Sequence, residues 1–233
     1  MARMHHSESQ LYTQFRRNRL YLMLSILSVF LSAGLIYHYH SLLAIPICAS
    51  FVVLGTWLNR RHNILKSGVQ GEEKAKNLTR YLPQEYHVFN NIPLSYQGQK
   101  GEIDLLVVGK NGIFAIEIKN LKGTIHGLES APQWHQTKIS KKGNAYQQSV
   151  INPIKQVKRE VYLLSHSLDN SGWIQGMVWF THNEVSLRVK SKSVPVFSSG
   201  EALANYITRY KNSQTVKPEA LNDVINQLKK LTA

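Results

Sequence analysis

The sequence predicts an α/β protein with a mixed β-sheet core flanked by helices, preceded by an N-terminal hairpin of two transmembrane helices. Two observations lead to this prediction. Residues 1–62 hold two long uncharged apolar runs, and residues 63–233 have the periodicity of a helix, several strands, a helix and a strand, with further helices at the end. A chain of 233 residues is long enough for such an anchor and for one domain with its own core.

The apolar runs cover residues 20–37 and 42–58, each close to the ~20 residues that a helix needs to cross a bilayer. Arginines precede the first run and follow the second, whereas the loop between them has neither lysine nor arginine. Because basic residues stay on the cytoplasmic side, we expect a multi-pass protein of a bacterial-type inner membrane whose soluble domain faces the cytoplasm. The alternative is a buried helical hairpin of a soluble fold.

The domain is predicted to begin with a helix at residues 71–82, which Pro83 ends, and a strand at 86–94. The clearest element is a β-hairpin of residues 102–108 and 113–119, because an Asn-Gly pair lies between two apolar strands. Asn152-Pro153 has the pattern of a helix N-cap followed by proline in the first turn. Further strands are predicted at 124–126, within 133–146, at 174–180 and near 193–197, and further helices at about 199–210 and 218–231.

Lysine and arginine number 28 against 14 aspartate and glutamate residues, a formal net charge of +14. Such an excess favours polyanionic partners, and both nucleic acid and anionic lipid meet that description. The single cysteine, Cys48, excludes an intramolecular disulfide and agrees with a cytosolic domain.

The hairpin carries the candidate chemistry. Since alternate residues of a strand share a face, Asp104 lies on the face of Leu106, and Glu117 and Lys119 lie on one face of the second strand. If the loop is Gly109 to Gly112, Asp104 is directly opposite Glu117; if it is Asn111-Gly112, Asp104 faces Lys119 with Glu117 diagonal to it. Either register places all three side chains on one face of the sheet.

Two carboxylates across adjacent strands suit a hard divalent cation, Mg²⁺ or Mn²⁺, which would polarise a phosphate and activate water. A lysine beside them would orient that water or stabilise an anionic transition state. A surface charge network is the alternative. Function is favoured because these charges interrupt apolar strands of the kind expected in a sheet centre, where charge is costly.

The segment GEIDLLVVGKNGIFAIEIKN, residues 101–120, resembles the core of the nuclease-related domain, NERD, a branch of the PD-(D/E)xK nuclease superfamily with a restriction-endonuclease-like fold. The resemblance covers about residues 66–164. It implies a metal bound by Asp104 and Glu117, with Lys119 acting on the attacking water. It also implies that Glu72 completes the metal site and that Gln156 orients substrate or the lysine. Isoleucine stands at position 103, where the superfamily's name has proline.

The expected function is therefore a membrane-anchored, metal-dependent nuclease that acts on nucleic acid, with DNA favoured over RNA. Lys138, Lys141 and Lys142 are candidate phosphate contacts from a turn near the site, with plain solvation as the alternative. The second hypothesis is a nucleic-acid-binding or scaffolding protein that keeps the fold without hydrolysis. The third is that the basic charge binds anionic lipid beside the anchor.

Overall fold

A computed structural model describes residues 1–5, 10–39, 44–140, 143–168, 172–211 and 218–232. The chain forms two compact units, one of Glu8–Gln70 and one of Met1–Ser7 with Gly71–Ala233. The helices are α1 Gln10–Tyr39, α2 Ala44–Lys76, α3 Pro153–Ser167, α4 Gly200–Arg209 and α5 Pro218–Thr232, with a 3-10 helix at Asn77–Arg80. The strands are β1 Arg3–His5, β2 His87–Tyr96, β3 Gln99–Gly109, β4 Gly112–Lys119, β5 Gly123–Leu128, β6 Gln133–Ile139, β7 Ala145–Ile151, β8 Ile174–Phe180, β9 Val185–Lys190 and β10 Val196–Phe197.

In the smaller unit, α1 packs against α2, and two side-chain hydrogen bonds connect them. Asn18 Nδ2 donates to the Leu58 carbonyl at 3.1 Å, and Ser25 Oγ donates to the Phe51 carbonyl at 3.1 Å. Within the described part of the chain, one helical segment, Leu11–Tyr39, is long and apolar enough by length and composition to cross a membrane. The second apolar run begins in residues outside the described ranges and continues from Ala44 as part of α2.

The helix predicted at residues 71–82 has different bounds in the structure. Its first residues form the end of α2, which runs without a break from Ala44 to Lys76, and the chain then tightens into the 3-10 helix. No proline interrupts residues 59–76, so nothing local ends the helix there. Apolar periodicity located the buried Leu78 and Leu82 correctly but not the start of the helix.

The larger unit is a mixed α/β structure with two mixed sheets. The main sheet has six strands in the order β1-β2-β3-β4-β8-β10, and the other has four in the order β7-β6-β5-β9. In the main sheet β2, β3 and β4 are antiparallel neighbours, whereas β4 pairs with β8 in parallel. The parallel pair requires a crossover, which β5 to β7 and α3 provide.

The β3–β4 hairpin has the first of the two expected registers. Val108 pairs with Ile113, and Gly109 pairs with Gly112 around Lys110-Asn111. The last backbone pair is Leu105 with Ile116, so the next residues along this register are Asp104 and Glu117.

Helix α3 covers the sheet face that carries these acids. Asn152 accepts a hydrogen bond from the Ile154 N–H at 2.9 Å, and Pro153 occupies the first turn, as predicted. Gly176 of β8 lets the helix approach closely, because a Cβ there would lie 3.4 Å from side-chain atoms of Val157 and Val161. The helix is thereby held directly above β4 and β8.

Two clusters of apolar side chains fill the two sides of the main sheet. On the α3 side, Leu106, Ala115 and Val178 pack with α3, with α5 and with Trp134 of the second sheet. On the opposite side, Leu105, Phe114 and Met177 pack against α4.

The second sheet differs from the prediction in two strands. The expected short strand at 124–126 is present as β5 and the one within 133–146 as β6, whereas β7 lies mostly beyond residue 146 and β9 was not predicted. It pairs in parallel with β5, for example Ile125 with Leu187. This pairing joins residues about 60 positions apart, a long-range contact that local periodicity does not reveal.

Candidate functional site

The acidic residues of the hairpin lie where the β3–β4 ladder ends. Asp104 Oδ2 accepts a hydrogen bond from the Ile118 backbone N–H at 2.8 Å, so the carboxylate replaces the carbonyl that a continuing ladder would supply. Glu117 is 1% exposed, and Asp104 is half-buried. The two side chains share the sheet face that α3 covers, as the alternation of the strands predicted.

Lys119 is the cation of this cluster. Its ammonium forms an ion pair with Glu117 Oε1, and it donates a second hydrogen bond to Gln156 Oε1 at 3.0 Å. The lysine side chain keeps 25% of its surface exposed, so its charged end reaches solvent while its partner carboxylate does not. The structure therefore brings together Asp104, Glu117, Lys119 and Gln156, four of the side chains chosen from the sequence.

Glu160 is a buried acid of this site that was not predicted from the sequence. It lies four residues after Gln156, on the same side of α3, and is 3% exposed. Neither its Oε2 nor Glu117 Oε2 receives a hydrogen bond from another described group. A buried carboxyl oxygen without a donor is costly unless the group keeps a proton or meets a cation. The signal in the sequence was an acid spaced i+4 from Gln156 beside the apolar positions of the helix.

Burial raises the pKa of all three acids, and repulsion between carboxylates adds to it for Asp104 and Glu160. Burial, and then the charge of Glu117, raises the pKa of Asp104 to about 8. Burial raises the pKa of Glu117 as well, against the opposing effect of Lys119. Burial and the charges of Glu117 and Asp104 raise the pKa of Glu160 to about 9. The proton that Glu160 therefore retains near neutral pH is the donor that its carboxyl shares with Glu117.

A cavity of about 200 Å³ opens beside the lysine. Lys119 and Gln156 supply its polar wall, and the remaining lining is apolar, including Val150 of β7 and Phe180 of β8. The cavity gives a ligand access to the lysine amine. Its apolar walls suit a sugar or a base next to a phosphate more than a free inorganic ion.

Among the described residues, no group of three or more His, Cys, Asp and Glu side chains is arranged to hold a metal ion. The donor set still fits magnesium, because that ion is often held through one or two carboxylates while it keeps several waters. The unpartnered oxygens Glu117 Oε2 and Glu160 Oε2 are hard ligands of this kind.

The other residues chosen from the sequence are not shown at this cluster. Glu72 belongs to α2, and its side chain is outside the described residues, as are Lys141 and Lys142. The neighbouring Gly71 lies near β4, since a Cβ there would be 3.2 Å from Asn120 Cβ. Lys138 is half-buried on β6, where its Nζ is 3.4 Å from Gln148 Oε1.

Comparison with known proteins gives two findings. Residues 67–181 match the family model of the nuclease-related domain, NERD. An uncharacterized protein of Bacillus anthracis is 30% identical over 111 residues, which are 47% of this chain and 52% of that protein. The chain thus spans about half the length of that relative. No solved structure matches the chain.

Proposed function

Because residues 67–181 are a nuclease-related domain of the NERD family, we propose that this protein is a membrane-anchored, metal-dependent nuclease that hydrolyses phosphodiester bonds, with DNA as the favoured substrate. The observation that carries the proposal is the cluster of Asp104, Glu117 and Glu160 around the single ammonium of Lys119. Two buried acids and a half-buried one beside one lysine are costly as a structural device. They are useful where positive charge must be bound.

Each residue has a proposed role. Asp104 and Glu117 would hold Mg²⁺ or Mn²⁺, which when bound polarises a phosphate and lowers the pKa of a coordinated water. Lys119 orients the attacking water or stabilises the developing negative charge on phosphate, since its amine is at the cavity wall. Gln156 accepts a hydrogen bond from that amine and so keeps it at the cavity. Glu72 is retained as a proposed ligand from the family pattern.

Glu160 is added to this set as a positioning residue. In the absence of a cation its carboxyl holds a proton and shares it with Glu117. The Glu117 carboxylate then has a neutral neighbour in place of a second negative charge. Glu160 would thus hold the Glu117 side chain in its position whether or not a cation is present.

Activity is tested with the full-length protein in detergent, magnesium or manganese, and supercoiled plasmid and single-stranded DNA and RNA substrates. Asp104→Ala and Lys119→Ala should abolish cleavage, whereas Asp223→Asn and Lys110→Ala, at exposed positions, should leave it unchanged. Cleavage at the wild-type rate by the Asp104 and Lys119 variants would contradict the assignment.

A second function is favoured by one feature of the site. The Lys119 ammonium already pairs with Glu117, so the carboxylate has a cation without metal. This suits a catalytically silent nucleic-acid-binding or scaffolding protein that keeps the nuclease core. Calorimetric titration with magnesium distinguishes the two: heat of binding that Asp104→Asn removes supports the nuclease, and its absence at millimolar magnesium supports the silent protein.

We further propose that α1 and the apolar part of α2 form a transmembrane hairpin in a bacterial-type inner membrane, with the domain in the cytoplasm. The apolar side chains of α1 are largely exposed, Phe30 and Leu31 among them, which is unfavourable in water and favourable in lipid. The contacts of Asn18 and Ser25 satisfy polar groups between the two helices. Alkaline extraction of membranes should leave the protein in the pellet, and a reporter fused after residue 233 should report a cytoplasmic location.

We also propose a restriction-endonuclease-like core built from the hairpin, β8 and α3. The support is the antiparallel β3–β4 pair followed by a parallel β8 strand with a helix across them. This order places the acids of the hairpin under the helix that carries Gln156.

A further inference from the structure

A groove rich in lysine lies beside α3. Lys155 and Lys158 of the helix form one side, and Lys190 and Lys192, at the end of β9 and just after it, form the other. The groove is open to solvent, has a volume of about 810 Å³ and is lined also by residues of the turn after β5. All four lysines are exposed. We refer to it below as the lysine groove.

The carboxylate of Glu129, the acidic residue that lines the groove, is already engaged by hydrogen-bond donors of the protein. Glu129 Oε1 pairs with Lys158 Nζ at 2.7 Å, and Glu129 Oε2 accepts from the backbone N–H groups of Lys192 at 2.7 Å and Ser193 at 3.1 Å. Hydrogen bonds from Lys158 and Ser193 hold the pKa of Glu129 far below its usual range, so it stays ionised and engaged with these donors. Its carboxylate therefore does not neutralise the other three lysines.

Those three lysines are available to a ligand. Within the described ranges, Lys155, Lys190 and Lys192 form no ion pair. A concave surface with several unpaired ammonium groups attracts anions strongly, because their fields add within the groove. The spread of the charges along two walls suits a chain of phosphates better than one small anion.

The lysine groove adjoins the candidate site across the first turns of α3. Gln156 faces the cavity beside Lys119, while Lys155 and Lys158 face the lysine groove. A helix with its side chains is about 10–12 Å across, so the cavity beside Lys119 and the lysine groove are separated by about that distance. The turn under the groove is fixed to the helix, since Asn152 Nδ2 donates to the Ala131 carbonyl at 2.6 Å. A strand that enters the cavity therefore meets the lysines within a few nucleotides.

We propose that the lysine groove binds the phosphodiester backbone of nucleic acid on one side of the position where Lys119 acts. This inference rests on the proposed function, since it names where that substrate binds. Contacts to phosphate carry no sequence information, so the groove would bind any sequence and would depend strongly on salt. It would position the strand without taking part in the chemistry.

The test is fluorescence anisotropy of labelled single-stranded and duplex DNA with the full-length protein in detergent, in EDTA so that no cleavage occurs. The variant is Lys155→Gln with Lys190→Gln and Lys192→Gln, which leaves the Lys158–Glu129 pair intact. The control changes three other exposed lysines, Lys110→Gln, Lys211→Gln and Lys230→Gln, and loses the same net charge.

For duplex DNA, a plot of the logarithm of the binding constant against the logarithm of the salt concentration has a negative slope. In the groove variant this slope should be less steep by about 2 to 3, at roughly 0.9 for each phosphate that the protein no longer neutralises. Affinity near physiological salt should fall roughly tenfold or more, and the control should change far less. In cleavage assays the groove variant should raise KM and leave kcat unchanged.

If the wild-type protein binds and cleaves DNA but the groove and control variants show the same salt dependence of binding, the proposal for the lysine groove fails and the proposed nuclease function stands. Wild-type protein that binds no DNA or RNA at any salt would overturn the proposed function together with it. If the groove variant loses binding to vesicles with anionic lipid but keeps the DNA affinity of the wild type, the groove binds a membrane surface and the proposal is overturned.

Discussion

Replacement of Glu160 by glutamine tests whether Asp104, Glu117 and Glu160 lie together in the candidate site. Burial and the charges of Glu117 and Asp104 raise the pKa of Glu160 from 4.5 to about 9. Between these values the folded protein holds a proton that the unfolded chain has released, so the free energy of unfolding falls as pH rises. Glutamine is neutral in both states and removes this contribution to the pH dependence.

The size of the effect follows from the raised pKa. Each pH unit above 4.5 costs the folded state about 1.4 kcal/mol, until the pH reaches the folded pKa. Relative to wild type, Glu160→Gln should therefore gain on the order of 2 kcal/mol at pH 6 and on the order of 5 kcal/mol at pH 8. These are upper values, because the glutamine amide must be hydrogen-bonded in the same buried place. The difference between the two pH values does not depend on that cost.

The measurement is denaturant unfolding of the metal-free, full-length protein in detergent, followed by the fluorescence of the buried Trp134 and Trp179. Unfolding free energies are compared at intervals from pH 5 to pH 9. Glu201→Gln, at an exposed position of α4, is the matched control and should follow the wild-type curve. Parallel wild-type and Glu160→Gln curves over this range would refute the shared burial of the three acids.

Three further predictions come from the same structure. Magnesium should raise the wild-type melting temperature more at pH 8 than at pH 6, because the acids must lose protons to bind it, and equal shifts would contradict metal binding at this site. Glu129→Gln should lower the free energy of unfolding by about 1–3 kcal/mol near pH 7. The deficit should shrink as the pH falls below 4.5, because the stability that comes from a lowered pKa is complete only above that value and is lost progressively below it. Urea unfolding at pH 7 and pH 3 checks this, and a deficit that does not depend on pH would contradict it. Gly176→Ala should be nearly neutral, because a Cβ fits at 3.4 Å from Val157, whereas Gly176→Val should lower the free energy of unfolding by about 1–3 kcal/mol, because the methyl groups of valine do not fit. Equal thermal unfolding of the two variants would contradict close packing at this position.

Local sequence signals predicted the hairpin, the helix start at Pro153 and the β8 strand. Each depends on residues adjacent in the chain: the Asn-Gly pair, the Asn-Pro pair and an uninterrupted apolar run. The register remained open between two alternatives because Asn111-Gly112 is itself a good two-residue turn. In the structure Asn111 Nδ2 instead donates to the Ile207 and Thr208 carbonyls at the end of α4, a distant contact that favours the other turn.

Glu160 and β9 were not predicted for a related reason. Glu160 follows Arg159, and such a neighbouring pair of charges is typical of an exposed helix face. It is buried only because α3 lies against the end of the β3–β4 ladder. The alternation of Val185, Leu187 and Val189 was visible, but the parallel partner of that strand is β5, far away in the sequence.

Helix α3 connects these features. Asn152 fixes its first turn to the turn after β5, and Gly176 lets it lie close to β8. These contacts hold Gln156 and Glu160 against the acids of the hairpin while Lys155 faces outward. Neighbouring positions of one helix thus supply the partner of the lysine amine, the third acid and a wall of the lysine groove. Since successive residues on a helix point about 100° apart, a small rotation of α3 would disturb all three at once. The close packing of α3 on β8 at Gly176 therefore helps to position all three.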